Sequence, residues 1–178
     1  MSDEEGIIMP GSFIGLLGGG QLARMLILAG HPLGFRFVVL DPDSEAPASQ
    51  VGARHLAHSY TDKKALKELA EQCNLVTYEF ENVDADSVEW LEKRVDLPQG
   101  SQLLRTAQHR LNEKKSIQNL GIGVTGFREV QTLPDLEKAF EEYGSVLLKT
   151  VSGGYDGKGQ KRIRTEEEIR FAFEALHQ

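Results

Sequence analysis

The sequence has one cysteine, Cys73, so it can form no internal disulfide and fits a reducing compartment. Cys73 falls on the apolar repeat Leu66, Leu69, Ala70, Cys73, which reads as a packed thiol rather than a nucleophile. Nowhere do about 18 apolar residues run together, so the sequence offers no helical membrane span. The opening Met1-Ser2-Asp3-Glu4-Glu5-Gly6 is acidic where a secretion signal is basic, and Ile7-Ile8-Met9 is too short for the apolar core of one. Residues 1–11 are therefore expected to be a disordered tail of a cytoplasmic protein. Positive charge is scarce: 20 Lys and Arg against 27 Asp and Glu leave a formal charge of −7. No basic stripe interleaved with aromatics appears, which argues against a nucleic-acid partner. The five histidines form no metal constellation, because His55 and His58, three apart, share a face only on a helix. With 40% hydrophobic and 26% charged residues, the composition is that of an ordinary globular chain of one or two domains.

Glycine, in contrast, is concentrated in two places. The more informative is Ser152-Gly153-Gly154-Tyr155-Asp156-Gly157-Lys158-Gly159-Gln160, directly after the apolar Val146-Leu147-Leu148-Lys149. Four glycines let the backbone take positive φ and bring bare amides to a ligand, and Lys149 and Lys158 add positive charge. That combination holds phosphate. Val146 to Thr150 reads as a buried strand and Gln160 to Arg164 as another, so the loop is a strand-to-strand flap. A Walker loop needs Gly-Lys followed by Ser or Thr and a helix, but Gly159 follows Lys158. A protein-kinase loop needs a further glycine where Arg162 stands. The competing reading is a flexible hairpin with solvated lysines. It leaves Lys149 closing an apolar strand, where an ammonium without an anion is costly.

The pattern along the chain is that of an open α/β sheet to about residue 98. Phe13 to Leu17 is a strand, a short apolar helix runs to Gly30, Phe35 to Leu40 is the second strand, and residues 54–58 are a third. Thr61 is placed to cap a helix carrying Leu66, Leu69, Ala70 and Cys73, and Leu75 to Glu81 follows as a central strand. Asp84 or Asp86 then opens a helix with Val88 and Leu91. Short crossovers of this kind make the strands parallel. The expected organisation is a Rossmann-like domain over 12–100, a linking helix over 101–122 opened by Ser101, and an α+β domain over 123–178. The last begins with a strand from Val124 to Val130. The final helix, with Thr165 and Glu168 as its capping box, is still periodic at Gln178, which suggests a piece of something longer.

The first glycine cluster, Gly18-x-Gly20-x-x-Ala23 with Asp41 at the end of the next strand, fits the dinucleotide fingerprint and by itself would propose an NAD-dependent oxidoreductase. The same amides at a helix N-terminus take any phosphate monoester. Alternation puts Glu79 and Glu81 on one face of their strand, with Tyr78 and Phe80 on the other. Two such carboxylates need a cationic or hydrogen-bonding partner. A substrate amine would serve, and so would neighbouring backbone amides or the N-terminus of a helix.

Leu17-Gly18-Gly19-Gly20-Gln21-Leu22-Ala23-Arg24-Met25, Leu40-Asp41-Pro42-Asp43, Val76-Thr77-Tyr78-Glu79-Phe80-Glu81-Asn82-Val83, Gln108-His109-Arg110-Leu111-x-x-Lys114, and Lys149 with Gly153 to Gln160 occur here in order. From about residue 13 to 165 this resembles the 5-(carboxyamino)imidazole ribonucleotide synthase family of ATP-grasp enzymes. One departure is Ala23, where the family usually has Gly. The fold implied is an open parallel sheet, the pre-ATP-grasp domain, followed by an incomplete α+β ATP-grasp domain.

The chemistry the resemblance implies is ATP-driven phosphorylation of bicarbonate to carboxyphosphate, then carboxylation of 5-aminoimidazole ribonucleotide in purine biosynthesis. Carried over residue by residue, Arg110 and Lys149 are ATP cations, Gly154, Tyr155, Asp156, Gly157, Lys158, Gly159 and Gln160 form the flap, and Tyr155 and Lys158 are catalytic. Gly20, Gln21 and Leu22, with Glu79 or Glu81, make the ribonucleotide site. Partners are then ATP, bicarbonate and 5-aminoimidazole ribonucleotide, with Mg2+ as cofactor, no metal ligand in this stretch and a homodimer as assembly. Family members run to about twice this length, so the chain alone is expected to be inactive. Another ATP-grasp ligase, formate-using or biotin-carboxylase-like, is the nearest alternative.

Overall fold

The computed structural model describes residues 7–154 and 158–176. It comprises two units, residues 1–105 and 106–178.

In the first unit four parallel strands, β1 (Phe13–Leu17), β2 (Arg36–Leu40), β3 (Arg54–Leu56) and β4 (Leu75–Tyr78), lie in the order β3-β2-β1-β4. The helices α1 (Gln21–Gly30), α2 (Lys63–Gln72), α3 (Ala85–Glu92) and α4 (Gly100–Ala107) accompany them. Successive side chains of a strand face opposite ways, and both faces are covered. Leu17, Val38, Leu40 and Val76 pack with Leu66, Leu69, Val88 and Leu91 on one side. Leu16, Phe37 and Val39 pack with Ala23 and Ile27 on the other. Leu17 stands in register with Leu40 and with Tyr78. The strands therefore end level, and the segments that follow them gather at one carboxyl rim.

Several boundaries differ from expectation for identifiable reasons. The run beginning at Leu75 leaves the ladder after Tyr78, so Glu79 to Asn82 lie in turns and strand alternation does not govern them. Beside β4, the Gln99 side chain accepts from Tyr78 N at 3.2 Å and its amide donates to Tyr78 O at 3.3 Å, standing in for a neighbouring strand. Within the described sheet β4 is an edge strand, not a central one. Asp62, not Thr61, caps α2, its carboxylate receiving Lys64 N and Ala65 N at 2.8 and 3.1 Å. In the segment read as a tail, residues 1–6 lie outside the described residues, while Gly11 N donates to Gly34 O at 2.8 Å.

The second unit holds α5 (Arg110–Asn119), α6 (Leu133–Tyr143), α7 (Glu167–Leu176) and the antiparallel hairpin of β5 (Val146–Lys149) with β6 (Gln160–Ile163). Its core is Leu136, Ile163, Ile169 and Ala172, with Val146, Leu148 and Phe140 against them. The single linking helix is two helices, α4 and α5: His109 is extended at φ −120 and ψ 105, and Arg110 N is drawn to Val151 O at 2.8 Å. No strand forms between Val124 and Val130. β5 is alternately half-buried and exposed rather than buried, and Lys149 is on its exposed side. Lys149 is therefore not desolvated by its strand, and its ammonium does not by itself call for an anion. Among the described residues no helix is long and apolar enough to cross a membrane.

Candidate functional site

At the rim of the first unit, β1 turns into α1 through Gly18, Gly19 and Gly20. Gly18 has φ +102, and a Cβ there would stand 2.7 Å from Glu79 Cγ, so only glycine fits. The turn brings three amides to the surface of two carboxylates. Glu79 receives Gly20 N at 2.7 Å through Oε1 and Ala23 N at 2.5 Å through Oε2. Asp41 receives Gly19 N at 2.7 Å and Asp43 N at 2.8 Å, and Tyr60 Oη donates to it at 2.7 Å. Gly20 has no side chain with which to cap α1. Glu79, 59 residues further on, does so instead, and its charge opposes the positive end of the helix dipole.

This arrangement decides between readings left open by the sequence. A dinucleotide would need the glycine-turn amides for its pyrophosphate and Asp41 for its ribose. Gly19 N is already engaged by Asp41, and Gly20 N and Ala23 N by Glu79. A carboxylate has about four acceptor positions, so Glu79, with two amides bound, retains room for two donors from a ligand. The rim thus suits hydroxyl or amino groups better than an anion. Gln21 and Leu22 stand exposed beside it. Glu81 is exposed on the same turn, with Asn82 Nδ2 at 3.5 Å. Ala23 is pressed into the core, and its methyl is accommodated between Ile27 and the sheet. Burial, followed by the hydrogen bond to Asp41, pushes the Tyr60 hydroxyl far above its ordinary value, so it stays a donor.

The second unit has a cleft of about 560 Å³ between α5, β5 and residues 125–130. Arg110, Lys114 and Lys149 line it together with the apolar Leu136, Ala139, Val146 and Leu148. The Arg110 Nε is buried and has no hydrogen-bond partner in the described structure. A buried guanidinium nitrogen left so is costly, and an anion in the cleft would satisfy it. Arg128, also in the lining, is paired with Glu142. Lys114 lies over the Phe127 ring at 5.3 Å. Cations above an apolar floor fit a phosphorylated aromatic compound.

The flap leaves this cleft at Thr150, whose N–H donates to Gly159 O at 2.9 Å, and Lys149 is paired with Gln160 across the hairpin. Gly153 and Gly159 have φ +72 and +69, the left-handed conformation expected of such a loop. Gly154 and Lys158 flank the segment Tyr155, Asp156 and Gly157, which lies outside the described residues. Among the described residues no three His, Cys, Asp or Glu side chains come together to hold a metal.

Tyr60, Gln99 and Lys114 are residues of the site that the sequence does not single out. Lys114 stands at helical spacing from Arg110 on α5, the signal by which it can be found. Tyr60 and Gln99 reach the rim only through folding, 19 and 21 residues from their partners Asp41 and Tyr78, and nothing local marks them.

Known proteins resemble this chain over nearly its whole length. Residues 12–108 match the ribonucleotide synthetase preATP-grasp domain, and residues 115–178 match the ATP-grasp domain. N5-carboxyaminoimidazole ribonucleotide synthase of Bacillus subtilis is 42% identical over 167 residues, covering 93% of this chain and 44% of that protein. A crystal structure of N5-carboxyaminoimidazole synthetase from Staphylococcus aureus complexed with ADP superposes with a TM-score of 0.90 at 37% identity, covering 96% of this chain and 46% of that one. The Aspergillus clavatus synthase, in complex with ADP and 5-aminoimidazole ribonucleotide, gives 0.81 at 34% identity, covering 93% and 44%. The chain thus spans less than half the length of these relatives. The first of the two domain matches, extending over more than half of the sequence, places the chain in the ribonucleotide synthetase preATP-grasp family.

Proposed function

We propose that this chain contributes the ribonucleotide-facing rim and the phosphate-facing cleft of an ATP-dependent 5-(carboxyamino)imidazole ribonucleotide synthase. ATP transfers its γ-phosphoryl group to bicarbonate, giving carboxyphosphate and ADP. The exocyclic amine of 5-aminoimidazole ribonucleotide then attacks the carboxyl carbon, phosphate leaves, and the amine loses a proton. Catalysis of such transfers is mostly placement and charge neutralisation.

Arg110 and Lys149 take the ATP side, with Gly154 to Gln160 as the flap and Lys158 and Tyr155 acting on the transferring group. Gly20, Gln21 and Leu22 shape the rim. Glu79 receives ribose hydroxyls or the amine on its remaining lone pairs, so the ribonucleotide's phosphate is held by cations elsewhere. Glu81 stands next to it on the same turn. Mg2+, which ATP chemistry calls for, would be held by ligands in the remainder of the family's length, of which this chain spans less than half. The observation that carries the reading is the buried, partnerless Arg110 Nε in a cleft also lined by Lys149.

Cytoplasmic location and a homodimer belong to the same reading. For the latter, α1 exposes Leu22 (62%), Met25 (57%) and Leu26 (45%) beyond its buried face, an apolar surface of the kind that associates. Calorimetric titration of the chain with Mg-ATP, NAD and 5-aminoimidazole ribonucleotide tests the assignment. Mg-ATP should bind, and Arg110→Ala or Lys149→Ala should weaken it at least tenfold, as expected for charge-assisted bonds. Binding of NAD with no response to Mg-ATP would refute the proposal.

A further inference from the structure

We infer that Tyr60 is a positioning residue of the ribonucleotide rim, holding the glycine turn in shape through Asp41 on one side and Phe80 on the other. The inference rests on the function proposed above and adds a residue to it. The rim has a particular mechanical requirement: Glu79 must keep Gly20 N and Ala23 N while sharing its remaining lone pairs with a ligand, so the turn cannot shift as donors arrive.

Tyr60 comes from the segment between β3 and α2, remote in sequence from both Gly18 and Glu79. Its hydroxyl donates to Asp41 Oδ2 at 2.7 Å, the same oxygen that receives Gly19 N at 2.7 Å. Two donors converging on one carboxylate oxygen fix where that oxygen sits, and with it the middle of the turn. The ring acts separately. It meets Phe80 edge-on, with centroids 6.1 Å apart and planes at 64°. Phe80 Cε1 in turn comes within 2.8 Å of where a Gly18 Cβ would be. One side chain therefore braces Gly18 through a ring contact and Gly19 through a hydrogen-bond relay. The backbone of the brace is anchored as well, since Asp41 N donates to Leu56 O at 3.2 Å and His55 Nε2 lies 3.1 Å from Asp41 O.

The test is a double-mutant cycle on ribonucleotide affinity, with Mg-ATP affinity and the thermal midpoint read in parallel. Tyr60→Phe keeps the ring and loses the donor, and Asp41→Asn keeps the shape and loses the charge. Each should weaken 5-aminoimidazole ribonucleotide about three- to tenfold, as loss of one hydrogen bond does, while Mg-ATP affinity stays at the parent value. Tyr60→Phe/Asp41→Asn should be no weaker than the worse single variant, because both act on the same oxygen. Tyr60→Leu, which removes the ring too, should lose more than Tyr60→Phe.

Parent-like ribonucleotide affinity in Tyr60→Phe would overturn the inference while leaving the proposed function standing. So would losses that multiply in the double variant, or equal losses of ribonucleotide and Mg-ATP. A parent chain that binds Mg-ATP but no ribonucleotide would remove the ribonucleotide half of the proposed function, and this inference with it.

Discussion

Glu79 shows how a residue's role can be invisible in its own neighbourhood. Locally it is one of two alternating glutamates; in the fold it closes a helix whose own cap position is glycine. Gly20→Ala tests that role at atomic scale, because the new Cβ would stand 2.8 Å from Glu79 Oε1. The carboxylate must then give up its amides. Loss of a helix cap costs about 1 kcal/mol, so urea unfolding should show a loss of that order, and ribonucleotide affinity should fall with it. Cys73 gives a second residue-scale test. Its thiol is buried and is pushed up to about 12 by that burial. The native chain should therefore resist a thiol reagent at pH 8 and react fully once unfolded. The sign of the pH effect follows. The neutral thiol is favoured in the fold, so its contribution is complete below the ordinary value of 9.0 and is lost as pH rises from there to about 12. Stability of the parent relative to Cys73→Ala should fall over that window.

At the scale of elements, the sequence was most legible where pattern and packing agree. β1 and α1 have the expected extents because Leu16 and Leu17 are buried on opposite faces and Gly18 breaks the strand where it must. Legibility failed where a distant side chain replaces a local signal. β4 stops at Tyr78 although apolar alternation continues to Phe80, since Gln99 takes over the backbone bonding at its end. The linking helix breaks at His109 because Arg110 N bonds across to Val151 O, a partner periodicity cannot see. The cap of α2 moved by one residue for an electrostatic reason. A carboxylate at Asp62 accepts two amides, and these bonds hold its pKa below the ordinary 3.8. Asp62→Ala should thus lower the thermal midpoint at pH 7. A depressed carboxylate stabilises above its unfolded pKa and loses that contribution as pH falls through its folded value. The gap between parent and variant should therefore narrow as pH drops towards and below 3.8, and a gap constant with pH would reject the account.

For the molecule as a whole, two chemistries are divided between two units, and the division sets what each can do by itself. The rim of the first unit offers carboxylates to hydrogen-bond donors. The cleft of the second offers Arg110 and Lys149 to an anion. Binding of an anion in the cleft uses groups that are present. Phosphoryl transfer needs more: the charge that develops on the transferring oxygens must be met by metal and cations together, and the chain spans only 44% of the length of its Bacillus subtilis relative. Affinity and turnover should therefore separate. The chain should be stabilised by Mg-ATP in a concentration-dependent way, as any ligand of the native state does, with the shift abolished by Lys149→Ala. It should release no phosphate above background when bicarbonate and 5-aminoimidazole ribonucleotide are supplied. Phosphate release that requires both substrates would show that the residues present suffice for catalysis.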